Sequence, residues 1–293
     1  MKLYTIETGN FKLDGGAMFG VVPKVLWSRT NPSDSNNLCP WAMRSLLIED
    51  GDKLILIDNG IGDKQDDKFL KHYYLHGDNS LSNSLNILGF SEDDITDVFL
   101  THLHFDHCGG SVKWNKDRTG FEMAFKNAKY WSNNDHWSHA LNSNYREKAS
   151  FLKDNIIPIQ QSGQLNFIER DSKFFDFFNV LFVDGHTESQ MIPHIKYKNQ
   201  TIVFAADLLP STGHIPLAYV MGYDTQPLKT LIEKKQFLLD AAEKQYVIFM
   251  QHDNYNECCT VKLSEKGVVL DLSLIHISEP TRRYAISYAV FCL

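Results

Sequence analysis

The chain contains no stretch of 18 apolar residues, no run of Lys and Arg longer than two, and no Cys-x-x-Cys pair. Each absence closes off a class of function. Without a long apolar run there is no candidate membrane span. Without a basic cluster, and with 29 Lys and Arg against 36 Asp and Glu for a formal charge of -7, nucleic acid is not expected as a partner. The first 20 residues, MKLYTIETGNFKLDGGAMFG, lack the apolar stretch of a signal peptide, so a cytoplasmic protein without membrane contact is expected. The five cysteines, Cys39, Cys108, Cys258, Cys259 and Cys292, include an adjacent pair that would strain a disulfide, and free thiols are the simpler reading. Proline is scarce, at 9 residues, while 43% of the chain is apolar and 12% aromatic. That is the composition of a globular protein able to bury a core.

Apolar alternation marks strands at 3–7 (LYTIE), 43–49 (MRSLLIE) and 53–59 (KLILIDN), the last two joined across Asp50-Gly51-Asp52, a hairpin signal. A helix is expected over 80–88, with Leu81, Leu85 and Leu88 in helical spacing, and a strand over 97–102 (DVFLTH). Residues 123–157, with two short helices, read as a cap-like insertion. Strands at 177–185, 191–197 and 201–207 follow, then a helix over 227–245 whose buried side is expected to carry Leu228, Leu231, Ile232, Leu238, Leu239 and Ala242, then a strand at 246–253. Two strand-rich halves with helices outside predict an α/β fold of two sheets packed face to face.

The densest chemistry lies in His102-Leu103-His104-Phe105-Asp106-His107, three imidazoles and a carboxylate in six residues. In an extended segment His102 and His104 project the same way and can grip one cation, at about 2.0–2.1 Å for zinc. Asp106 and His107 fall beyond the turn and can serve a second, and Gly109-Gly110 permits a tight exit. Later strand ends supply His186, Asp207 and His252. The assignment is His102, His104 and His186 to the first metal, Asp106, His107 and His252 to the second, and Asp207 bridging. His72, His76, His136, His139, His194 and His276 have no ligand spacing and read as surface or core residues. Cys108 reads as packing.

This order of ligands, with Ile57-Asp58-x-Gly60 upstream, resembles the metallo-β-lactamase superfamily from Met1 to about Leu272, and the resemblance implies a single αββα domain over 1–272. It makes Asp58 a partner that orients a ligand imidazole. Leu13 to Lys24, Thr101 to Gly109 and Ala206 to Pro210 are similar to YtnP-type lactonases, a branch related to N-acyl-homoserine lactonases and to methyl-parathion-hydrolase-like enzymes. The resemblance implies a hydrolase that opens a lactone ring, most simply that of an N-acyl-homoserine lactone, by attack of a hydroxide bridging two divalent metal ions. Two cations about 3.5–4 Å apart bring the pKa of such a water towards about 7. Zinc is the expected metal, and iron, manganese or cobalt fit the same donors. Met18 and Phe19 would form an apolar wall, joined by Met221 and Tyr223. Many relatives read Gly-His-Thr-Pro-Gly-His where this chain has Gly185-His186-Thr187-Glu188-Ser189-Gln190, and Pro210 stands where homoserine lactonases place a tyrosine. Asp106, His214 and Tyr223 are therefore the candidates for proton transfer.

The alternatives are a phosphotriesterase or arylesterase on the same centre, a glyoxalase-II-like thioesterase, a mononuclear-iron dioxygenase, and a non-catalytic metal-binding protein. The expected partner is a small ester or lactone, with a possible homodimer. Residues 273–293, SLIHISEPTRRYAISYAVFCL, resemble translated sequencing-adapter read-through and are expected to be a non-native tail, the alternative being a terminal strand YAISYAVF.

Overall fold

In the computed structural model, which describes residues 1–170 and 173–274, the alternating apolar runs of the first half become β1 (Lys2–Asp14), β2 (Leu38–Asp50), β3 (Lys53–Ile57), β4 (Asp97–Phe99), β5 (Val112–Trp114), β6 (Phe121–Met123), β7 (Lys129–Ser132) and β8 (Leu165–Phe167). Six of these form one sheet in the order β1-β2-β3-β4-β7-β8, antiparallel through β3 and parallel from β3 to β8. Asp50 pairs with Lys53, so Gly51 and Asp52 make the two-residue turn, and Gly51 takes φ 61°, as tight hairpins demand. Between the strands lie α1 (Gly15–Phe19), α2 (Lys24–Trp27), α3 (Asp67–Leu70), α4 (Leu81–Ile87), α5 (Phe105–Cys108), α6 (Asn134–Leu141) and α7 (Lys153–Gln161). The Ser80 hydroxyl caps α4 by accepting from Asn83 N at 3.2 Å.

The second half builds β9 (Phe178–Val183), β10 (Gln190–Tyr197), β11 (Gln200–Phe204), α8 (Pro227–Glu243), β12 (Val247–Phe249), β13 (Cys258–Ser264) and β14 (Gly267–Leu274). Its sheet runs β14-β13-β12-β11-β10-β9, and β11 and β12, joined through α8, are the parallel pair. Period-2 alternation then decides the packing. Leu46, Ile48, Ile55 and Ile57 share one core with Met191, Ile195, Val203 and Phe249 of the facing sheet. Their neighbours Leu47, Leu54 and Leu56 turn outward to Leu85 of α4, Trp137 of α6 and Ile156 of α7. Phe237, Leu238 and Ala241 of α8 cover the second sheet. The result is the expected helix-sheet-sheet-helix sandwich, in which each fully buried aliphatic side chain contributes roughly 1.5–3 kcal/mol.

Three expectations change. The buried side of α8 is Thr230, Lys234, Phe237, Leu238 and Ala241, while Leu228 and Ile232 are 77% and 71% exposed. The helix is rotated because the buried Lys234 ammonium turns inward, donating to the carbonyls of Tyr219 (2.6 Å), His214 (3.0 Å) and Pro216 (3.3 Å). A hydrophobic count cannot anticipate a lysine that finds three acceptors. Second, the stretch 123–157 contains β7, an interior strand of the first sheet paired with β4 and β8, so it is not wholly an insertion. Third, the strand expected over 97–102 ends at Phe99. Ser273 and Leu274, the first residues of the expected tail, pair with Cys259 and Cys258 in β14. The rest of that tail, with its alternative strand, His276 and Cys292, lies outside the described residues. Cys39, Cys108, Cys258 and Cys259 are free and buried.

Gly109 and Gly110 allow backbone to meet backbone. A Cβ on Gly109 would lie 2.1 Å from the Ile61 carbonyl oxygen, and one on Gly110 2.3 Å from that of Asn59. Gly109→Ala is therefore expected to destabilise the metal-free protein by about 1–3 kcal/mol, read as a lowered denaturant midpoint in chelator; an unchanged midpoint would show that this turn can yield.

Candidate metal centre

His102, His186, Asp207 and His252 sit where strands run out, while His104 caps α5 and Asp106 and His107 lie on it. β4 ends before His102, β9 before His186, β11 before Asp207 and β12 before His252. Strand ends hold these positions while loops leave room between them. The structure brings all seven together in two groups, His102, His104, His186 and Asp207 in one, Asp106, His107 and His252 in the other. Asp207 lies between them. Its Oδ2 is 3.1 Å from His186 Nε2 and 3.9 Å from His102 Nε2, and its Oδ1 is 3.2 Å from His252 Nε2 and 3.5 Å from His107 Nε2. One carboxylate oxygen thus faces each group. Asp106 Oδ2 stands 3.8 Å from both His107 Nε2 and His252 Nε2.

The outer nitrogen of each ring decides what its inner nitrogen can do. His107 Nδ1 donates to Asp58 Oδ2 (2.9 Å), His186 Nδ1 to Asp224 Oδ1 (2.9 Å) and His252 Nδ1 to the Ala42 carbonyl (2.8 Å). His102 Nδ1 lies 3.1 Å from Thr101 Oγ1, whose own proton goes to Asp58 Oδ2 at 2.7 Å, so His102 is the donor there. Each of these four rings is left with a lone pair on Nε2, pointing inward. His104 is reversed, with Nε2 3.5 Å from Glu147 Oε2 and Nδ1 3.1 Å from His186 Nε2. His252 Nε2 and His107 Nε2 are 3.3 Å apart. Acceptors facing acceptors in a buried site repel unless a cation or proton lies between them.

That is the fit expected of a metal site. Donors at about 2.0–2.1 Å from a tetrahedral cation stand about 3.3–3.4 Å from one another, close to the separations found. His102 Nε2 and Asp207 Oδ1 are buried without a hydrogen-bond partner. The charge balance agrees. Burial and the surrounding imidazoles push His102 well below its ordinary pKa. Burial would lower His186 too, but Asp207 and Asp224 bring it up to about 10. Burial would raise Asp207, yet His107, His186 and His252 hold it well below the carboxylate range.

Two backbone positions beside the centre are strained, with left-handed φ of 55° at Asp58 and 43° at Ala206, neither of them glycine. Asp58 also accepts from Thr101 N at 2.8 Å, so one carboxylate sets both the strand exit and His107. His136, expected to be a plain surface or core residue, is buried and organises the motif. Its Nε2 accepts from Leu103 N (2.8 Å) and its Nδ1 donates to the Glu188 carbonyl (2.6 Å).

The cavity over the centre, of about 350 Å³, is lined by Leu13, Met18, Tyr73, Phe105, Met221 and Tyr223 among others. Of the four residues expected to form an apolar wall, Met18, Met221 and Tyr223 line this cavity. Phe19 does not. It is fully buried, stacked between Trp27 (5.3 Å) and His214 (4.4 Å). His214 is likewise behind the wall, with Nδ1 accepting from Ser211 Oγ (2.8 Å) and Nε2 donating to the Met18 carbonyl (2.9 Å). Both nitrogens are committed and burial pushes it down to about 3, so it cannot serve as the proton donor considered for it. Asp224, Glu147, His136 and Tyr73 were not found from sequence. Asp224 sits beside Tyr223, but no spacing links it to His186, 38 residues earlier. A larger groove, of about 730 Å³, contains none of the seven side chains; the smaller cavity is where the chemistry lies.

A family profile described as the metallo-beta-lactamase superfamily matches residues 44–252. The N-acyl homoserine lactonase AiiA of Bacillus thuringiensis subsp. kurstaki is 25% identical over 198 residues, 64% of this chain, and the match spans 66% of that relative's length. Among solved structures, a "probable metal-dependent hydrolase" from Staphylococcus aureus superposes with a TM-score of 0.84 at 28% identity, covering 93% of this chain and 96% of that one. AidC, described as a dizinc quorum-quenching lactonase in complex with a product, superposes with a TM-score of 0.74 at 23% identity over 92% and 93% of the two chains.

Removing the acceptor that fixes His186 in Asp224→Ala is expected to weaken metal binding 10–100-fold, measured by competition with a chelator. Retention of parental affinity would mean that the His186 tautomer needs no such partner.

Proposed function

The chain belongs to the metallo-beta-lactamase superfamily and is a hydrolase, and from that premise we propose that it opens the ring of N-acyl-homoserine lactones. One observation carries the reading: His104, His186 and His252, with Asp106 and Asp207, open onto a cavity that Leu13, Met18, Phe105 and Met221 also line. The likeness to AiiA and AidC supports it. A pair of divalent cations held by His102, His104, His186, Asp207, Asp106, His107 and His252, zinc in this reading, would supply water activation at neutral pH and polarise the scissile carbonyl.

The chain's own residues do the rest. Leu13, Met18, Phe105 and Met221 offer a dry surface to an acyl chain, worth about 0.8 kcal/mol per methylene buried. His214 serves this wall by holding the Met18 carbonyl. Tyr73 and Tyr223 also line the cavity. Burial pushes each phenol up to about 12, so both keep their protons at neutral pH and can donate to the oxygen on which charge develops. When water adds to the lactone carbonyl, the ring C–O bond breaks and the departing alkoxide takes a proton. In this reading Asp106, which lines the cavity beside His107 and His252, relays that proton from the water to the alkoxide.

The zinc-loaded protein is expected to open N-acyl-homoserine lactones, with the activity lost on chelation and in Asp207→Ala. Absence of turnover at every acyl length would sink the proposal. Met221→Ala should raise KM for long-chain substrates roughly 3–30-fold, as losing about 1–2 kcal/mol of apolar contact implies, while leaving short-chain kinetics near parental values. An equal effect on both would move the acyl chain away from this wall.

A further inference from the structure

Glu147 comes from the segment between α6 and α7, far from every motif, yet its carboxylate is only 3% exposed and lies against the centre. Its Oε1 accepts from Asn144 Nδ2 (2.8 Å) and makes a short contact with His139 Nε2. His139 Nδ1 in turn lies 3.2 Å from the exposed Glu188 Oε2. The other oxygen, Oε2, faces His104 Nε2 at 3.5 Å. Both of those atoms are buried, and neither has a hydrogen-bond partner. A buried ring N–H and a buried carboxylate oxygen facing each other across slightly more than a hydrogen bond form one when the ring settles on a cation.

His104 is also the ring that turns Nδ1 rather than Nε2 inward. The choice needs a cause, since either nitrogen of an imidazole can serve as a donor. His107 and His186 have theirs in Asp58 and Asp224, and for His104 the facing group is Glu147. We propose that Glu147 is a positioning residue of the centre, holding His104 as an Nε2–H donor so that Nδ1 faces the first group, and that His139 holds Glu147 in place. The inference rests on the reading that the centre binds cations. It adds a link between that centre and the cavity, because Glu147, Ala149 and Ser150 line the same wall.

The test is cation binding by the full chain, read without substrate. Zinc affinity is measured by chelator competition, and the cobalt-substituted protein gives a visible spectrum that reports ligand geometry. In Glu147→Ala, one of two cations is expected to bind 10–100-fold more weakly, with the other unchanged and the cobalt spectrum altered. Glu147→Gln keeps an acceptor oxygen and should recover most of that affinity. His139→Ala should weaken the same cation by a smaller factor. A folded Glu147→Ala protein that holds both cations at parental affinity with the parental cobalt spectrum overturns the proposal, as does an equal weakening of both. Should Glu147→Ala fail to fold, His139→Ala decides by the same two readouts. A parental protein that binds no cation at all would instead defeat the reading of the centre itself.

Discussion

Convergence of buried lone pairs is the constraint on which this molecule turns. Four imidazoles commit their outer nitrogen to a neighbour while His104 turns its own towards Glu147, and all five aim the other nitrogen at one small volume shared with Asp106 and Asp207. Each buried acceptor without a partner costs about 1–3 kcal/mol. Such an arrangement is tolerable when positive charge occupies the middle, and folding and charge uptake are then one process. The strained backbone at Asp58 and Ala206 belongs to the same account, since strain persists where surrounding contacts overdetermine the conformation.

The sandwich supplies that overdetermination by tying its two sheets together at the end where the centre lies. Ala42 N donates to the His252 carbonyl (3.2 Å) while the Ala42 carbonyl accepts from His252 Nδ1 (2.8 Å), so β2 grips, through two bonds, a residue of the loop that follows β12 of the other sheet. Arg44, two residues on, is ion-paired to Glu7 (2.7 Å) and reaches the Asp253 carbonyl. On the opposite side, Met191 N donates to the Thr101 carbonyl at 2.9 Å, joining β10 to the loop that presents His102. The backbone contact of 59–62 with 109–110, made possible by glycine, closes the turn after His107, with Asn59 N donating to the His107 carbonyl (2.9 Å).

How far this could be read from the sequence follows from the range of each interaction. His102, His104, Asp106 and His107 are legible because the alternation of an extended segment acts over a few residues. His186, Asp207 and His252 are legible because each ends an apolar run, and strand exits cluster at one edge of a sandwich. Asp224 and Glu147 act across 38 and 43 residues of chain on side chains they meet only in the fold, with no period to reveal them. The same reason explains the rest. Ligand spacing leaves His136 as a surface or core residue, which it is, without revealing that it bonds between two candidate ligands, and it cannot show that Ser211 and Met18 occupy both nitrogens of His214. The buried side of α8 turns on Lys234, whose three carbonyl partners come from a loop before the helix.

Neighbouring residues divide their work between the cavity wall and the centre. Tyr223 lines the cavity and Asp224 orients His186; Phe105 lines it and Asp106 belongs to the second group. Arg146 lines the cavity beside Glu147 and bonds the carbonyls of Gly222 and Asp224, clamping one wall to the other. A backbone shift that reshapes the wall at 146 or 223 therefore moves the carboxylate next to it, and with it an imidazole. Cavity shape and donor geometry are mechanically coupled here. Changes of wall residues that keep the backbone in place, such as those at Met18 or Met221, are the ones that can alter what fits without altering what is held.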